Sequence, residues 1–388
     1  MVEGALNQKS VSLLFEHDVR DQNVRVIDFM DVKAYFPVYA PDTVMPFDIF
    51  AASFYLVTRY EEYLPSLRDE HDRFDATSSL MYKTGMLQKP LVNIWAAEFG
   101  KRLAARYPEL EPHKRHRFTI VPTYDIDMAW SYKHKGLIRT MTGFARDMVN
   151  LRWKLVGQRF RVLFGNEDDP FDTYALQLAL QKEYNLRPVY FVLCGNHGKY
   201  DKNINVYNTH FRNLIKHLSD YCEVGIHPSY SSYLDSDAVQ SEISVLSAAI
   251  NKSVTHSRQH FLRLNLPETY NILIKQDITD DYTMGFASQP GFRAGIADSF
   301  KFFDIELNIT TSLVVHPFAF MDGTLCDYMK LTPDEAQVLI DKLISEVKAV
   351  DGEFVMLWHN ESLSDQLRWK GWRSVYENIF AKHVAKNL

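Results

Sequence analysis

From residue 118 onward the chain alternates short apolar runs with longer amphipathic stretches. Seven runs have strand character, at 118–124, 188–193, 222–227, 259–264, 281–286, 311–316 and 354–358. Between most of them, residues 171–183, 207–219, 238–251, 267–275 and 333–350 have helical patterns. Strands and helices in alternation predict a parallel sheet with right-handed crossovers, and this many units can close on themselves. The expected fold class is therefore α/β, a distorted (β/α) barrel of about seven strands.

The first part of the chain is patterned differently. Phe47, Phe50, Ala51, Phe54, Tyr55, Val57 and Leu64 recur at three- and four-residue spacing, which predicts a helix over 47–64; Pro46 and Asp48 suit its start. A loop-like stretch with Arg68, Asp69, Asp72, Arg73 and Asp75 follows, then a second predicted helix over 91–107. These elements suggest a smaller, α-rich or mixed module over 1–115, joined by the polar linker ELEPHKRHR at 109–117 to a barrel over 116–388. Within the barrel, residues 133–164 interrupt the alternation and set Arg139, Arg146, Arg152, Lys154, Arg159 and Arg161 among aromatic and aliphatic residues. This insertion reads either as a solvated helical pair or as a platform for a membrane surface or an anionic substrate.

Composition narrows the class without naming a function. With 46% hydrophobic and 24% charged residues the balance is that of a soluble globular protein, and a net charge of −6 argues against a protein that tracks nucleic-acid phosphates. Cys194, Cys222 and Cys326 are too scattered for a disulfide framework or a Cys-x-x-Cys pair, so they are expected to be reduced. No apolar run approaches the roughly 18 residues of a spanning helix, and residues 1–20 lack the basic-then-apolar order of a signal peptide. The cytoplasm is the expected location.

In a β/α barrel the chemistry collects at the C-terminal ends of strands, so polar residues that end apolar runs carry the search. The first strand ends in Thr123-Tyr124-Asp125-Ile126-Asp127, the third in Gly225-Ile226-His227, the sixth in Val315-His316-Pro317 and the last in Leu357-Trp358-His359. The fourth carries Arg258, His260 and Arg263. Asp125 and Asp127 share one side of a continuing strand, and an aspartate pair can divide cation binding from proton transfer.

The ordered set Thr-Tyr-Asp-Ile-Asp, Gly-Ile-His-Pro, Arg-Gln-His-Phe-Leu-Arg, Gly-Phe-Arg-Ala-Gly and Leu-Trp-His resembles the motif series of the NodB-homology polysaccharide deacetylases, the family-4 carbohydrate esterases, over residues 118 to about 360. The N-terminal module resembles the accessory region that precedes such domains in some bacterial proteins. The resemblance implies a metal-dependent hydrolase that removes an N-acetyl group from an amino sugar, with a divalent cation, often zinc, held by one Asp and two His. It implies that Asp125 is the general base and His359 the general acid, with Arg293 orienting the catalytic groups and Arg258, Trp358 and Tyr230 on the substrate.

Two departures stand out. Ile126 occupies the place of the family's second Asp, which leaves Asp127 to bind metal one position later. Ser231 stands where the second histidine of a His-x-x-x-His motif falls after His227, so His260 is the candidate third ligand, ahead of His316. The expected substrate is a glycan or a lipid-linked or nucleotide-linked amino sugar of the cell envelope or of an exported polymer. Two alternatives are a catalytically inactive barrel that binds glycan or a partner protein, and a glycosidase with two carboxylates flanking its bond.

Overall fold

The protein is described as a computed structural model covering residues 24–40, 42–109 and 117–385. Most of the expected linker and all of residues 1–20 lie outside the described residues. In chain order the strands are β1 (Val26–Phe29), β2 (Val32–Tyr35), β3 (Thr119–Ile126), β4 (Val189–Val192), β5 (Glu223–Ile226), β6 (His256–Ser257), β7 (Asp280–Asp281), β8 (Phe300–Asp304), β9 (Ile309–Val315), β10 (Phe318–Met321) and β11 (Glu353–His359). The principal helices are α1 (Ile49–Val57), α2 (Leu91–Arg106), α3 (Leu137–Val149), α4 (Trp153–Leu163), α5 (Tyr174–Tyr184), α6 (Thr209–Tyr221), α7 (Ser236–Ile250), α8 (Glu268–Lys275), α9 (Pro333–Lys348) and α10 (Trp372–His383).

The fold class is α/β with a sheet of the distorted (β/α)-barrel type, as the alternation predicts. One sheet has nine strands in the order β10-β11-β3-β4-β5-β6-β7-β9-β8, where about seven were expected. The two additional strands, β8 and β10, lack a crossover helix before their sequence neighbour β9 or after it, so the alternation rule passes over them. β8 runs antiparallel to β9, which makes the sheet mixed. The strand expected at 259–264 is a further correction: the extended pair is His256–Ser257, and residues 260–262 form a 3₁₀ turn with Phe261 at φ 59°. Among the described residues no helix is long and apolar enough to cross a membrane.

The chain packs as two compact units, each drawn from separated segments. The first comprises residues up to Val121 together with Ser257–Met356. Its α1 is capped by Asp48, whose carboxylate accepts from the amides of Phe50 and Ala51 at 3.1 and 2.9 Å. The helix is shorter than predicted because Arg59 takes a left-handed conformation and turns the chain into a 3₁₀ segment at Tyr60–Tyr63. Trp95 of α2 packs edge-on to Tyr35 and Phe47, and Phe286 from beyond β7 joins the same apolar cluster. Beneath it lies a buried charge cluster. Arg59 donates to Glu61 and Glu62 at 2.7 Å each, while Arg293 grips Glu62 with two bonds of 2.8 and 2.5 Å.

The second unit comprises Pro122–His256 and Leu357–Leu388. Here β3, β4 and β5 are parallel and in step: Ile126 pairs with Val192, which pairs with Ile226. Successive side chains alternate faces. Tyr124 therefore turns to one face, where it stacks on Tyr190 at 4.7 Å and its hydroxyl meets that of Tyr376 on α10. Thr123, Asp125 and the residue after Ile126 turn to the other. The predicted insertion forms the helical pair α3 and α4, closed by a buried ion pair of 2.7 Å between Arg159 and Asp147.

Candidate active site

Four of the predicted residues converge at the strand ends of the second unit. The step of the parallel ladder brings Asp127 and His227 one residue beyond the last paired level, and the ladder runs on, since the His227 amide donates to the Val192 carbonyl at 3.0 Å. His227 Nε2 lies 3.3 Å from Asp127 Oδ1 and 3.7 Å from Asp125 Oδ2. His359, at the end of β11, places Nε2 3.8 Å from Asp127 Oδ2. Asp125 and His227 are buried, whereas Asp127 and His359 keep partial access to solvent. A buried carboxylate behind two more accessible groups can hold or move a proton without competing directly with water.

The sequence around each residue explains how the cluster forms. A Cβ at Gly225 would fall 2.6 Å from the His256 carbonyl oxygen and 2.8 Å from the Phe191 ring, so only glycine lets β6 approach the strand that delivers His227. The loop beyond His227 is fixed by Glu242 of α7, which accepts from the Ser229 amide at 2.9 Å and the Ser229 hydroxyl at 2.5 Å. Burial raises the Glu242 carboxyl above its usual range, although the Ser229 bonds oppose it. Asp201 anchors the Tyr230 amide at 2.8 Å, and the Tyr230 ring lies over Tyr200 at 4.2 Å. This offers a pair of partly exposed aromatic rings, one of them three residues past His227.

Two supports were missed from sequence. Asp169 accepts from the amides of Ser131, Tyr132 and Lys133 at 2.7, 2.8 and 3.0 Å and so fixes the loop that follows Asp127. Asn360 donates to the carbonyls of Met128 and Phe171 at 3.0 and 2.9 Å, tying the residue after His359 to the chain just past Asp127. Asn360 had a signal available, since it directly follows a strand-end histidine. Asp169 lies just past the insertion and had none.

The donor set suits a divalent cation. Two ligand atoms on a tetrahedral ion with bonds of ~2.0–2.1 Å stand roughly 3.3–3.4 Å apart. The 3.3 Å between Asp127 Oδ1 and His227 Nε2 matches that spacing, and it exceeds the ~2.7–2.9 Å of a charge-assisted hydrogen bond. An aspartate with imidazole nitrogens is also a donor set that zinc accepts.

The other predicted residues have different settings. His260 is buried on its 3₁₀ turn in the first unit, not on a strand, with its ring edge-on to Phe261 at 4.8 Å. That turn is buttressed by the N-terminal loop: Arg73 donates to the Phe261 carbonyl at 3.0 Å, and Arg263 donates to that of His71 at 2.9 Å. His316 pairs with Asp280 at 2.7 Å and stacks on Tyr282. Arg258 is buried, donates to the Tyr282 carbonyl at 3.0 Å and lies over the Tyr282 and Phe318 rings.

Arg293 and Trp358 are both buried. The nitrogens of Arg293 are engaged by Glu62 and the Gly285 carbonyl, so it is a buried brace of the first unit. Trp358 is fully buried, with its ring edge-on to Trp372 and Tyr376 in the core of the second unit. Ser231, in the place of the second histidine, is exposed and its hydroxyl meets that of Ser229 at 3.0 Å.

Comparison with known proteins begins at the N-terminus, where residues 2–108 match DUF7033, a family of unknown function. No curated protein sequence matches the chain. Among solved structures, it is similar to a Mycobacterium smegmatis protein described as a polysaccharide deacetylase, at 16% identity, with 71% of this chain and 87% of that one covered and a TM-score of 0.45. It is similar to the PuuE allantoinase at 10% identity, with 72% and 90% covered and a TM-score of 0.44. A CE4-family pseudoenzyme from Bacillus anthracis aligns at 12% identity, with 71% and 67% covered and a TM-score of 0.35.

Proposed function

We propose that the chain is a metal-dependent hydrolase that removes the N-acetyl group from an amino sugar of a glycan or of a lipid-linked or nucleotide-linked glycan precursor. The observation that carries this reading is the convergence of Asp125, Asp127, His227 and His359, with Asp127 and His227 at ligand-to-ligand spacing. Asp127 and His227 would hold the cation, and His260 is proposed as the third protein ligand. A bound divalent ion, zinc being the fitting choice, supplies polarisation of the acetyl carbonyl.

The chain's own groups then divide the proton work. Asp125, buried beside His227, takes the proton of the attacking water. His359, with solvent access, donates a proton to the amine nitrogen as the C–N bond breaks, so acetate and a free amino sugar are the products. The Tyr200–Tyr230 pair offers apolar ring faces to a sugar, with Tyr230 the predicted contact. Arg258, over the Tyr282 and Phe318 rings, would serve the substrate side by orienting its neighbours.

A glycosidase fits less well, because Asp125 and Asp127 both lie against one imidazole nitrogen instead of flanking a bond. An inactive, glycan-binding barrel is favoured by Ser231 alone. One experiment separates the readings: metal analysis of the purified protein beside an assay of acetate release from N-acetylated oligosaccharides. The enzyme reading expects about one divalent ion per chain and acetate release, with both lost in Asp127→Ala and His227→Ala. Stoichiometric metal without acetate release across N-acetylated substrates would favour the binding reading; absence of metal would overturn the metal-dependent one.

A further inference from the structure

We propose that the α3–α4 pair docks this protein on an anionic lipid surface. Of the 25 large hydrophobic side chains exposed among the described residues, ten fall between Leu137 and Phe164. On α3, Leu137, Ile138, Met141 and Val149 follow one face at helical spacing, with Leu137 82% and Val149 81% exposed. Leu151 in the turn continues the surface, and α4 adds Trp153 at 61% exposure and Phe164 at 74%. So dense an apolar surface marks an interaction site.

The pair is built with its polarity inverted. The buried residue of α3 is Asp147, and those of α4 are Gln158, Arg159 and Val162. Arg159 bonds Asp147 at 2.7 Å and lies over the Tyr132 ring at 4.6 Å. The hairpin thus closes on an ion pair and directs its aliphatic and aromatic side chains outward. A helical pair selected only to face water would show the reverse.

Charge complementarity identifies the occupant. Residues 133–164 hold eight Lys and Arg against one acid, Asp147, in a chain whose net charge is −6. Asp147 is already neutralised by Arg159. Arg139 donates to the carbonyls of Lys202 and Asn203, and Arg161 pairs with Glu167. Arg152 and Lys154 flank Trp153 and are exposed. Apolar side chains rimmed by Lys and Arg, with a tryptophan between two basic residues, match the chemistry of an anionic bilayer interface. A second copy docking by the same face would bring like charge against like charge.

The test is vesicle flotation of the full chain, with neutral phosphatidylcholine vesicles and with vesicles containing phosphatidylglycerol, alongside light scattering for oligomeric state. Binding to the anionic vesicles, weakened by salt, is expected. Arg152→Gln with Lys154→Gln should lower partitioning about 30-fold, at ~1 kcal/mol for each charge near the surface. Ile138→Ser with Trp153→Ser should abolish it, with an unchanged thermal melt, since both side chains are exposed. Failure to bind, equal binding to neutral vesicles, or dimerisation through this face without vesicle binding would each overturn the proposal. The readout is independent of hydrolysis, so an inactive protein that still floats leaves the docking surface intact.

Discussion

His227 faces two carboxylates, and only one of them lies at the distance of a shared cation. On the proposed hydrolase reading this division would separate holding a metal from moving a proton, and it makes His359 the informative residue for mutation. His359→Ala should leave bound metal near stoichiometric while kcat falls by about 10²–10⁴, the usual range for loss of a general acid. Loss of the ion in that variant, read by metal analysis, would move His359 into the ligand set. Asp125, Asp127, His227 and His359 were legible in the sequence because each ends an apolar run. The burial of Trp358 was not legible, because a strand-end motif gives residue type but not direction. Trp358 precedes His359, so the two-residue period that aims the imidazole at the cluster aims the indole into the core behind it.

At the level of elements, the short 3₁₀ segment after α1 carries the most consequential packing. Glu62 is surrounded by Arg293 and Arg59; burial alone would raise its carboxyl, but the two guanidinium groups outweigh burial and hold it at about 2. Because that value is depressed, the associated stability is complete above the unfolded-state range near ~4.3 and is lost as pH falls toward about 2. Glu62→Gln should destabilise the fold by about 3–5 kcal/mol at pH 7 by leaving Arg293 buried against a neutral amide. Urea unfolding between pH 4 and pH 2 should also show a weaker pH dependence in the variant, by up to one proton. An unchanged urea midpoint at pH 7 would contradict the brace. Sequence periodicity located the helices well and the irregular segments poorly: the His260 turn depends on a left-handed Phe261 held by Arg73, a contact between residues 188 positions apart.

At the scale of the molecule, the expected division at residue 115 remains a proposal, yet residues 24–109 share a compact unit with 257–356. Beyond the charge cluster, Lys89 pairs with Glu346 at 2.7 Å and Asn93 bonds Asp298 at 2.5 Å. A fragment of residues 116–388 would therefore lose the partner of Arg293 and uncover Phe286. It should be less soluble and markedly more sensitive to limited proteolysis within 257–356 than the full chain. Equal protease resistance in the two would count against that dependence. Residues 24–109, on this reading, help to build the compact unit that carries His260.

The bond between Glu62 and Arg293 spans 231 residues of chain. At the usual ~5–20 residues per second of synthesis, roughly 10–50 s separate the emergence of the two partners from the ribosome. During that interval Glu62 has only Arg59 to meet it, and the apolar cluster around Trp95 still waits for Phe286. Residues 24–109 of the nascent chain are thus left with incomplete burial while translation proceeds, and the yield in the cell should respond to chaperone supply and to the pace of elongation.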